Sequence, residues 1–311
     1  MKEIETKYIS MKKIFVIGSA TMDMVVKADK HPLPGETLLG GNFLMNPGGK
    51  GANQAVAIAR LGGDLTFVAK LGNDIFGKQI IEGFRKENMN TEYIFMDEQH
   101  PSGVALIMVN AAGENCIVVA AGSNSNLLMR DIETVPDLKD AEIILMQLEI
   151  PMDTIFAIAK NAKSNHQKLI LNPAPAQHLS NELLNGLFLV TPNETEAAIL
   201  TGIEVTDDRS AEKAADVLLS KGVENVIITL GKQGAYYKNK ERSFSIKAPE
   251  VKAIDTTAAG DTFSGALAVA LTEDMDWKKA IEFAVTAASI SVTRMGAQAS
   301  VPYRNEVSIM L

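Results

Sequence analysis

The segment Asp255-Thr-Thr-Ala-Ala-Gly-Asp-Thr-Phe-Ser-Gly265 gathers two carboxylates, several hydroxyls and three small residues just ahead of an apolar helical pattern. Successive backbone N–H groups at such a turn form a concavity that binds anions. Amides of this kind suit the negative charge that develops on a transferring phosphoryl group, because they are already oriented. Asp261 stands at the start of the helix, placed to take a proton from an attacking hydroxyl. The helix dipole should favour its ionised form. An isolated aspartate here would be an ordinary N-cap; the surrounding carboxylate, threonines and small residues give the catalytic reading its weight.

Three other segments carry residues of interest. Asn46-Pro-Gly-Gly-Lys-Gly-Ala-Asn53 superficially suggests a P-loop, but Gly51 stands where that motif needs Ser or Thr. No strand is expected immediately before it either. The glycines let a ligand approach the backbone closely, and a helix from Gly51 points its first amides at that ligand. Lys50 and Asn53, in the first turn, reach sugar hydroxyls, although a simple glycine turn into a helix fits the same residues. Thr191-Pro-Asn-Glu-Thr-Glu196 follows an expected strand, Leu187 to Val190, and places Asn193 and Glu196 on the sheet rim. Carboxylates there can hold Mg²⁺ through water against nucleotide phosphates, while ordinary helix capping explains them equally. Thr229-Leu-Gly-Lys-Gln-Gly234 offers a glycine loop to a purine or its phosphates, or is a plain hairpin turn into Ala235-Tyr-Tyr237. His31, His100, His166 and His178 share no metal-ligand spacing, and neither a Gly-x-Ser-x-Gly elbow nor a Rossmann glycine fingerprint after a strand occurs.

These residues need a scaffold. Continuous apolar runs such as Ile14–Ile17, Leu65–Ala69, Ile143–Met146, Leu169–Leu171 and Val226–Leu230 read as strands of a parallel sheet buried on both faces. Helical patterns separate them, over Gly51–Arg60, Ile75–Glu87, Pro151–Lys163, Ala211–Ser220 and Thr262–Leu271. The alternation predicts an α/β sandwich with its site beyond the carboxyl ends of the strands. Residues 21–45 and 91–120 break the pattern; Gly103–Val109 and Cys116–Ala120, around a turn at Asn110–Gly113, read as a β-hairpin. Together these two regions predict a small β-sheet lid, whose exposed strands are expected to pair with a second copy of the chain as a homodimer.

The chain has 311 residues, ample for a sizeable core. Its formal charge of −8 and lack of a basic patch argue against nucleic acid as a partner. Local positive potential must therefore come from backbone amides and a few placed cations. The lone Cys116 rules out an intramolecular disulfide and suits the reducing cytoplasm. No run is long and apolar enough to cross a bilayer, so no membrane partner is expected. The mixed, charged segment 1–10 does not resemble a secretion signal, and Met11 is a candidate start.

In this order the segments resemble the ribokinase-like, or PfkB, carbohydrate kinase family. Gly48-Gly-Lys-Gly-Ala-Asn53 is similar to its N-terminal signature and Asp255-Thr-Thr-Ala-Ala-Gly-Asp261 to its C-terminal one. Gly103-Val-Ala-Leu-Ile107, Gln147-Leu-Glu149, Asn172-Pro-Ala-Pro-Ala176, Thr191–Glu196 and Val292-Thr-Arg-Met-Gly-Ala-Gln298 are similar to family segments in register. The resemblance implies a three-layer α/β/α sandwich around a mostly parallel sheet, as a single domain over 11–311. It implies a lid from about 20–46 and 92–121, with 1–10 as an extension. It implies transfer of the ATP γ-phosphoryl group to the 5-hydroxyl of D-ribose, under a closed lid that excludes water.

On that likeness Asp261 is the base, and the amides of Ala258, Ala259 and Gly260 form the anion hole. Thr21, Asp23, Gly49, Lys50, Gly51, Asn53 and Glu149 would line the sugar site, with Ala105, Ile107 and Val119 as apolar lid contacts. Asn193, Thr229, Leu230, Gly231, Lys232, Gln233, Gly234 and Val285 would line the ATP site, and Glu196 would organise Mg²⁺. A K⁺ ion beside the anion hole would be held by Asp255, Thr257, Ser291, Arg294, Gly296 and Ser300, several through backbone carbonyls. One position departs: Thr21 stands where the family commonly carries an Asn that contacts the sugar. A hydroxyl in place of an amide removes a hydrogen-bonding group, a contact of about 1 kcal/mol. Another pentose, deoxyribose or a nucleoside therefore stays open as the acceptor, as does a catalytically silent sugar sensor. The sensor would be expected to lack the base or Gly260; the scarcity of lid aromatics (only Phe43) favours a small sugar over a nucleoside.

Overall fold

The computed structural model describes residues 12–39 and 41–311. The segment 1–10, Met11 and Gly40 lie outside them. The first strand, β1 (Lys13–Ile17), shows why its run is uniformly apolar: Ile14 and Val16 belong to one buried cluster, Phe15 and Ile17 to the other. A strand covered by helices on both faces has no polar side.

The main sheet has nine strands: β1, β4 (Asp64–Gly72), β5 (Ile94–Asp97), β8 (Ile143–Met146), β9 (Lys168–Leu171), β10 (Leu189–Val190), β11 (Asn225–Thr229), β12 (Ala235–Asn239) and β13 (Ser243–Ile246). Their order is β13-β12-β11-β10-β9-β8-β1-β4-β5, parallel except for the antiparallel edge β12 and β13. From β1 the chain builds outward to β4 and β5, then returns to add β8 to β11 on the other side. The order reverses between β1 and β8, which opens a crevice at their carboxyl ends.

Helices α1 (Lys50–Arg60), α2 (Ile75–Lys86), α8 (Ala259–Thr272), α9 (Trp277–Ser291) and α10 (Arg304–Met310) contribute to one core cluster. Helices α3 (Met129–Ile132), α4 (Met152–Ser164), α5 (Asn181–Leu184), α6 (Glu194–Thr201) and α7 (Asp208–Ser220) contribute to the other. The architecture is the α/β sandwich that the alternation predicts.

A second, four-stranded sheet runs β3-β2-β6-β7, from β2 (Thr21–Lys27), β3 (Asn42–Gly48), β6 (Gly103–Val109) and β7 (Asn115–Ala120). Strand β2 pairs antiparallel with β3 and parallel with β6, and β6 and β7 form the expected hairpin. Asp23, Val25, Ala105, Ile107, Ile117 and Val119 share one face by register and alternation.

Two expectations need correction. A strand does precede the glycine turn, because β3 ends at Gly48, one residue before the N-cap Gly49. The exposed run Phe43-Leu-Met45 lacks the burial-driven alternation that would have revealed it. The P-loop reading fails on Gly51 alone. Residues 94–97, grouped with the lid, instead form β5 on the edge of the main sheet beside β4. A short apolar run does not say which sheet it joins.

Candidate active site

Asp261 lies in the first turn of α8 and is buried. Helices α1 and α8 cross so closely that a Cβ on Gly265 would sit 2.7 Å from Ala57 Cβ and 2.8 Å from the Gln54 carbonyl oxygen. Glycine at 265 permits this approach, and one turn earlier it brings Asp261 within reach of two consecutive α1 side chains. Asn53 Nδ2 donates to Asp261 Oδ2 at 2.9 Å, and Gln54 Nε2 donates to Oδ1 at 3.0 Å. Burial pushes the Asp261 carboxyl above its ordinary range, against the lowering pull of Lys50, Asn53 and Gln54. Desolvation thus outweighs the charge-stabilising setting expected from the helix terminus.

The start of α1 is packed against the end of β1. A Cβ at Gly51 would lie 2.6 Å from the Ser19 nitrogen, and one at Gly49, whose φ is +90°, would lie 2.8 Å from Ala20 Cα. Glu149, beyond β8, crosses the switch point to this turn. Its Oε2 accepts from the Ser19 hydroxyl at 2.5 Å and from the Lys50 N–H at 3.0 Å. Burial lowers the affinity of the Lys50 amine for its proton, but Asp261, Glu149, Glu196 and Asp23 together outweigh it and raise the value. Asp23 accepts from the Thr21 hydroxyl at 2.9 Å. Burial first, then Glu149 and Asp261, push the Asp23 carboxyl up to about 6 despite that hydroxyl.

A cleft of about 200 Å³ runs from Lys50 and Asp261 past Ala258, Ala259 and Gly260 to Asn193, Glu196 and Thr229. Ala258, at φ +59°, is the N-cap of α8 and carries no side-chain cap. The Ala259 N–H is turned back to the Thr256 carbonyl at 3.3 Å, whereas those of Gly260 and Asp261 have no acceptor among the described residues. Of the expected set, the Ala258 and Gly260 amides are open to an anion and the Ala259 amide is not, while Asp261 adds a further open one. Asn193 and Glu196 cap α6 reciprocally: Glu196 N–H donates to Asn193 Oδ1 at 2.8 Å, and Asn193 N–H to Glu196 Oε2 at 2.9 Å. Burial raises the Glu196 carboxyl, partly opposed by that backbone bond and by Lys50. Leu230, Gly231, Lys232, Gln233 and Gly234 form the turn from β11 into β12 and stand outside the cleft lining, as does the buried Val285 on α9.

The sequence and the fold match known proteins. The pfkB family carbohydrate kinase model matches residues 11–304. The chain belongs to the PfkB carbohydrate kinase family. The Haemophilus influenzae protein named ribokinase is 47% identical over 95% of this chain and 97% of its own. A Salmonella typhi deoxyribokinase is 37% identical over 93% and 95%. The Arabidopsis thaliana ribokinase solved with ribose and ATP superposes with a TM-score of 0.89 at 33% identity, over 96% and 98%.

PfkB family membership implies a nucleotide with Mg²⁺, and the residues present fit. Among the described residues no group of three or more His, Cys, Asp or Glu could hold a metal. With one Glu196 oxygen committed to the helix cap, Mg²⁺ would keep several waters and lean on phosphate oxygens. The K⁺ expectation is also compatible with the loops. Asp255 Oδ1 accepts from the Thr257 N–H and hydroxyl, and Oδ2 from the Gly296 N–H at 2.9 Å, which draws 255–257 against 294–296. Burial raises the Asp255 carboxyl, yet these donors hold it below its usual range. The hydroxyls of Ser291 and Ser300 donate to the carbonyls of Ala288 and Ala297. The Arg294 side chain pairs with Glu306. The carbonyls of Thr257, Arg294 and Gly296 accept nothing among the described residues, so backbone oxygens are the donors left for a cation.

Sequence reasoning gave no role to Gln54, Asn172, Ser19 or Gln147, all of which the structure ties to the site residues. A signal existed for Gln54. It sits in Gly51–Ile58, where every residue is buried, and a buried amide needs partners.

Proposed function

We propose that this chain transfers the γ-phosphoryl group of ATP to the 5-hydroxyl of D-ribose, giving D-ribose 5-phosphate. The observation that carries this reading is the meeting of Asp261, Lys50 and the unsatisfied first-turn amides of α8 in one cleft. Asp261 takes the proton of the acceptor hydroxyl as that oxygen attacks phosphorus. The N–H groups of Gly260 and Asp261 face the charge that builds on the transferring oxygens. Asp23, Asn53, Glu149 and the Gly49–Lys50 turn hold the sugar; Asn53 Oδ1 is buried without a donor, the kind of group a sugar hydroxyl satisfies. Thr229 and Asn193 line the nucleotide end.

Four carboxylates around one lysine would repel a nucleotide that arrived without cations. Bound Mg²⁺ would supply that charge beside Glu196, and K⁺ a second positive centre at the 255–257 and 294–296 loops. The name of the Haemophilus influenzae relative and the ligands of the Arabidopsis thaliana structure support ribose and ATP. The side of the small sheet that carries Asp23 has no aromatic residue among its strands, since Phe43 pairs with Val26 on the opposite face. That favours a small sugar over a nucleoside.

A second reading, deoxyribose as acceptor, is favoured by one observation: the Thr21 hydroxyl is spent on Asp23. The decisive experiment measures ADP release with ribose, deoxyribose, hexoses and nucleosides, in K⁺ and in Na⁺, for the wild type and Asp261→Ala. Expected are a preference for ribose, faster turnover in K⁺, and no turnover by the variant while ATP still binds. Full activity of the variant would remove the base, equal rates in both salts the monovalent cation, and silence on every sugar the kinase itself.

The face of the small sheet opposite Asp23 exposes Val26, Phe43, Met45, Leu106, Met108 and Val118. An apolar patch on a strand sheet supports a homodimer built through the lid, and a monomer in sedimentation at micromolar concentration would end that reading. The free Cys116 and the absence, among the described residues, of a helix long and apolar enough to cross a membrane fit the cytoplasm. Cell fractionation tests this: recovery in the membrane or secreted fraction would refute it.

A further inference from the structure

We infer that Gln54, anchored by Gln147, is a positioning residue for phosphoryl transfer, orienting the Asp261 carboxylate toward the acceptor hydroxyl. The inference rests on Asp261 being the base. Gln54 is fully buried and both its amide protons go to Asn172 and Asp261, so it acts through Asp261 and not on substrate.

The direction of every hydrogen bond in this network follows from one fixed point. The Thr191 backbone carbonyl can only accept, and Asn172 Nδ2 donates to it at 3.2 Å. Asn172 Oδ1 therefore faces the other way, where it accepts from Gln54 Nε2 at 3.1 Å. The same nitrogen spends its second proton on Asp261 Oδ1 at 3.0 Å. The oxygen of that amide, Oε1, accepts from Gln147 Nε2 at 2.6 Å. A flip of the Gln54 amide would set oxygen against oxygen at both Asn172 and Asp261, and nitrogen against nitrogen at Gln147. Gln54 is thus locked as a donor to the base.

Room for the anchor is also specific. A Cβ on Gly18 would stand 2.1 Å from Gln147 Oε1, so the tight end of β1 accommodates the second amide. With Asn53 on Oδ2 and Gln54 on Oδ1, each oxygen of Asp261 receives one amide proton. The remaining lone pairs define where a hydroxyl proton can be taken. Both amides favour the ionised form in a setting where burial opposes it, and the other charges facing Asp261 are Lys50, Glu149, Asp23 and Glu196. Lys50 is the one cation among them.

A simple packing role predicts lost stability and nothing else, so the test reads a pH profile. Gln54→Met keeps the volume and removes the donor. Loss of a hydrogen bond to a charged group should lower kcat at pH 7 by about 10- to 100-fold. It should also move the acid limb of kcat upward by about one pH unit, with KM for sugar and ATP within about threefold of wild type. Gln147→Met, which has no direct contact with Asp261, should move the limb in the same direction by less, and it decides the matter if Gln54→Met does not fold.

In the wild type, the side-chain amide ¹⁵N resonance of Gln54 should titrate with the midpoint of that limb. A wild-type limb in the folded variants, or a Gln54 resonance flat across it, overturns the positioning role. Asp261→Asn run in parallel separates the two ideas. If that variant stays active the base assignment has failed, whereas an inactive Asp261→Asn beside an unshifted Gln54→Met profile refutes only Gln54.

Discussion

Gly260→Ala should make the protein more stable and less active at once. Gly260 is the second residue of α8, outside the positive-φ glycines, and a Cβ built on it meets no protein atom within 4 Å. Alanine is the better helix former by up to about 1 kcal/mol. For a chain of 311 residues that corresponds to a rise in Tm of at most about 1.5 °C. The same open space is the cleft, where a phosphoryl oxygen must come within about 2.9 Å of the Gly260 N–H. A methyl group one bond from Cα competes for that position. Displacing one such donor typically costs about 10²–10³ in kcat, or roughly 2.7–4 kcal/mol of transition-state stabilisation. Differential scanning fluorimetry reads the first effect and a coupled ADP assay the second. A variant with raised Tm and kcat within about threefold of wild type would show that these amides do not meet the transferring group. A lowered Tm would show instead that the space around Gly260 is not free.

The Asp23 carboxyl, held at about 6, sets a further expectation. Its ionised form accepts sugar hydroxyls and dominates above that value, so kcat/KM for sugar should fall as pH drops through about 6. Thr21→Val removes the hydroxyl that favours the charged form and should move this limb up by about one unit; an unmoved limb would mean that Asp23 does not govern sugar binding. Arg60, at the far end of α1, donates twice to Glu87 and to the carbonyls of Gln298 and Val301. Arg60→Ala leaves Glu87 unpaired and should destabilise by about 3 kcal/mol, which chemical denaturation will measure. A loss below about 1 kcal/mol would assign the cluster to the weak surface class.

The buried parallel strands were legible because burial on both faces leaves an unbroken apolar run, as in Ile14–Ile17. Helix ends came within one to three residues, with Ile75–Lys86 close to its apolar period and α8 starting three residues early, at Ala259. The small sheet was legible in its hairpin and not in β3, whose side chains are mostly exposed and follow no burial rhythm. At the site, glycine and charge clusters drew attention to Lys50 and Asp261, which the fold brings to one cleft, although a glycine turn and an N-cap explain the same residues locally. Local sequence gave no hint that Glu149 would reach the Lys50 N–H, which depends on β8 lying beside β1. Nor could spacing show that Ala259 turns its N–H inward, because αL geometry at Ala258 decides it.

The four strands of the small sheet join the body along one line. Thr21, Gly48 and Gly103 are in register, and Ala120 pairs with the next residue, Val104. Such a line is an axle, and a residue's distance from it is its lever arm. At about 3.3 Å per residue, Asp23 lies roughly 7 Å out, while Lys27 and its partner Val109 lie roughly 20 Å out. A swing of about 10° would carry the far edge some 3.5 Å and Asp23 only about 1 Å, on those same strand dimensions. Any rotation of the sheet about that line would thus move its outer half most and displace Asp23 least.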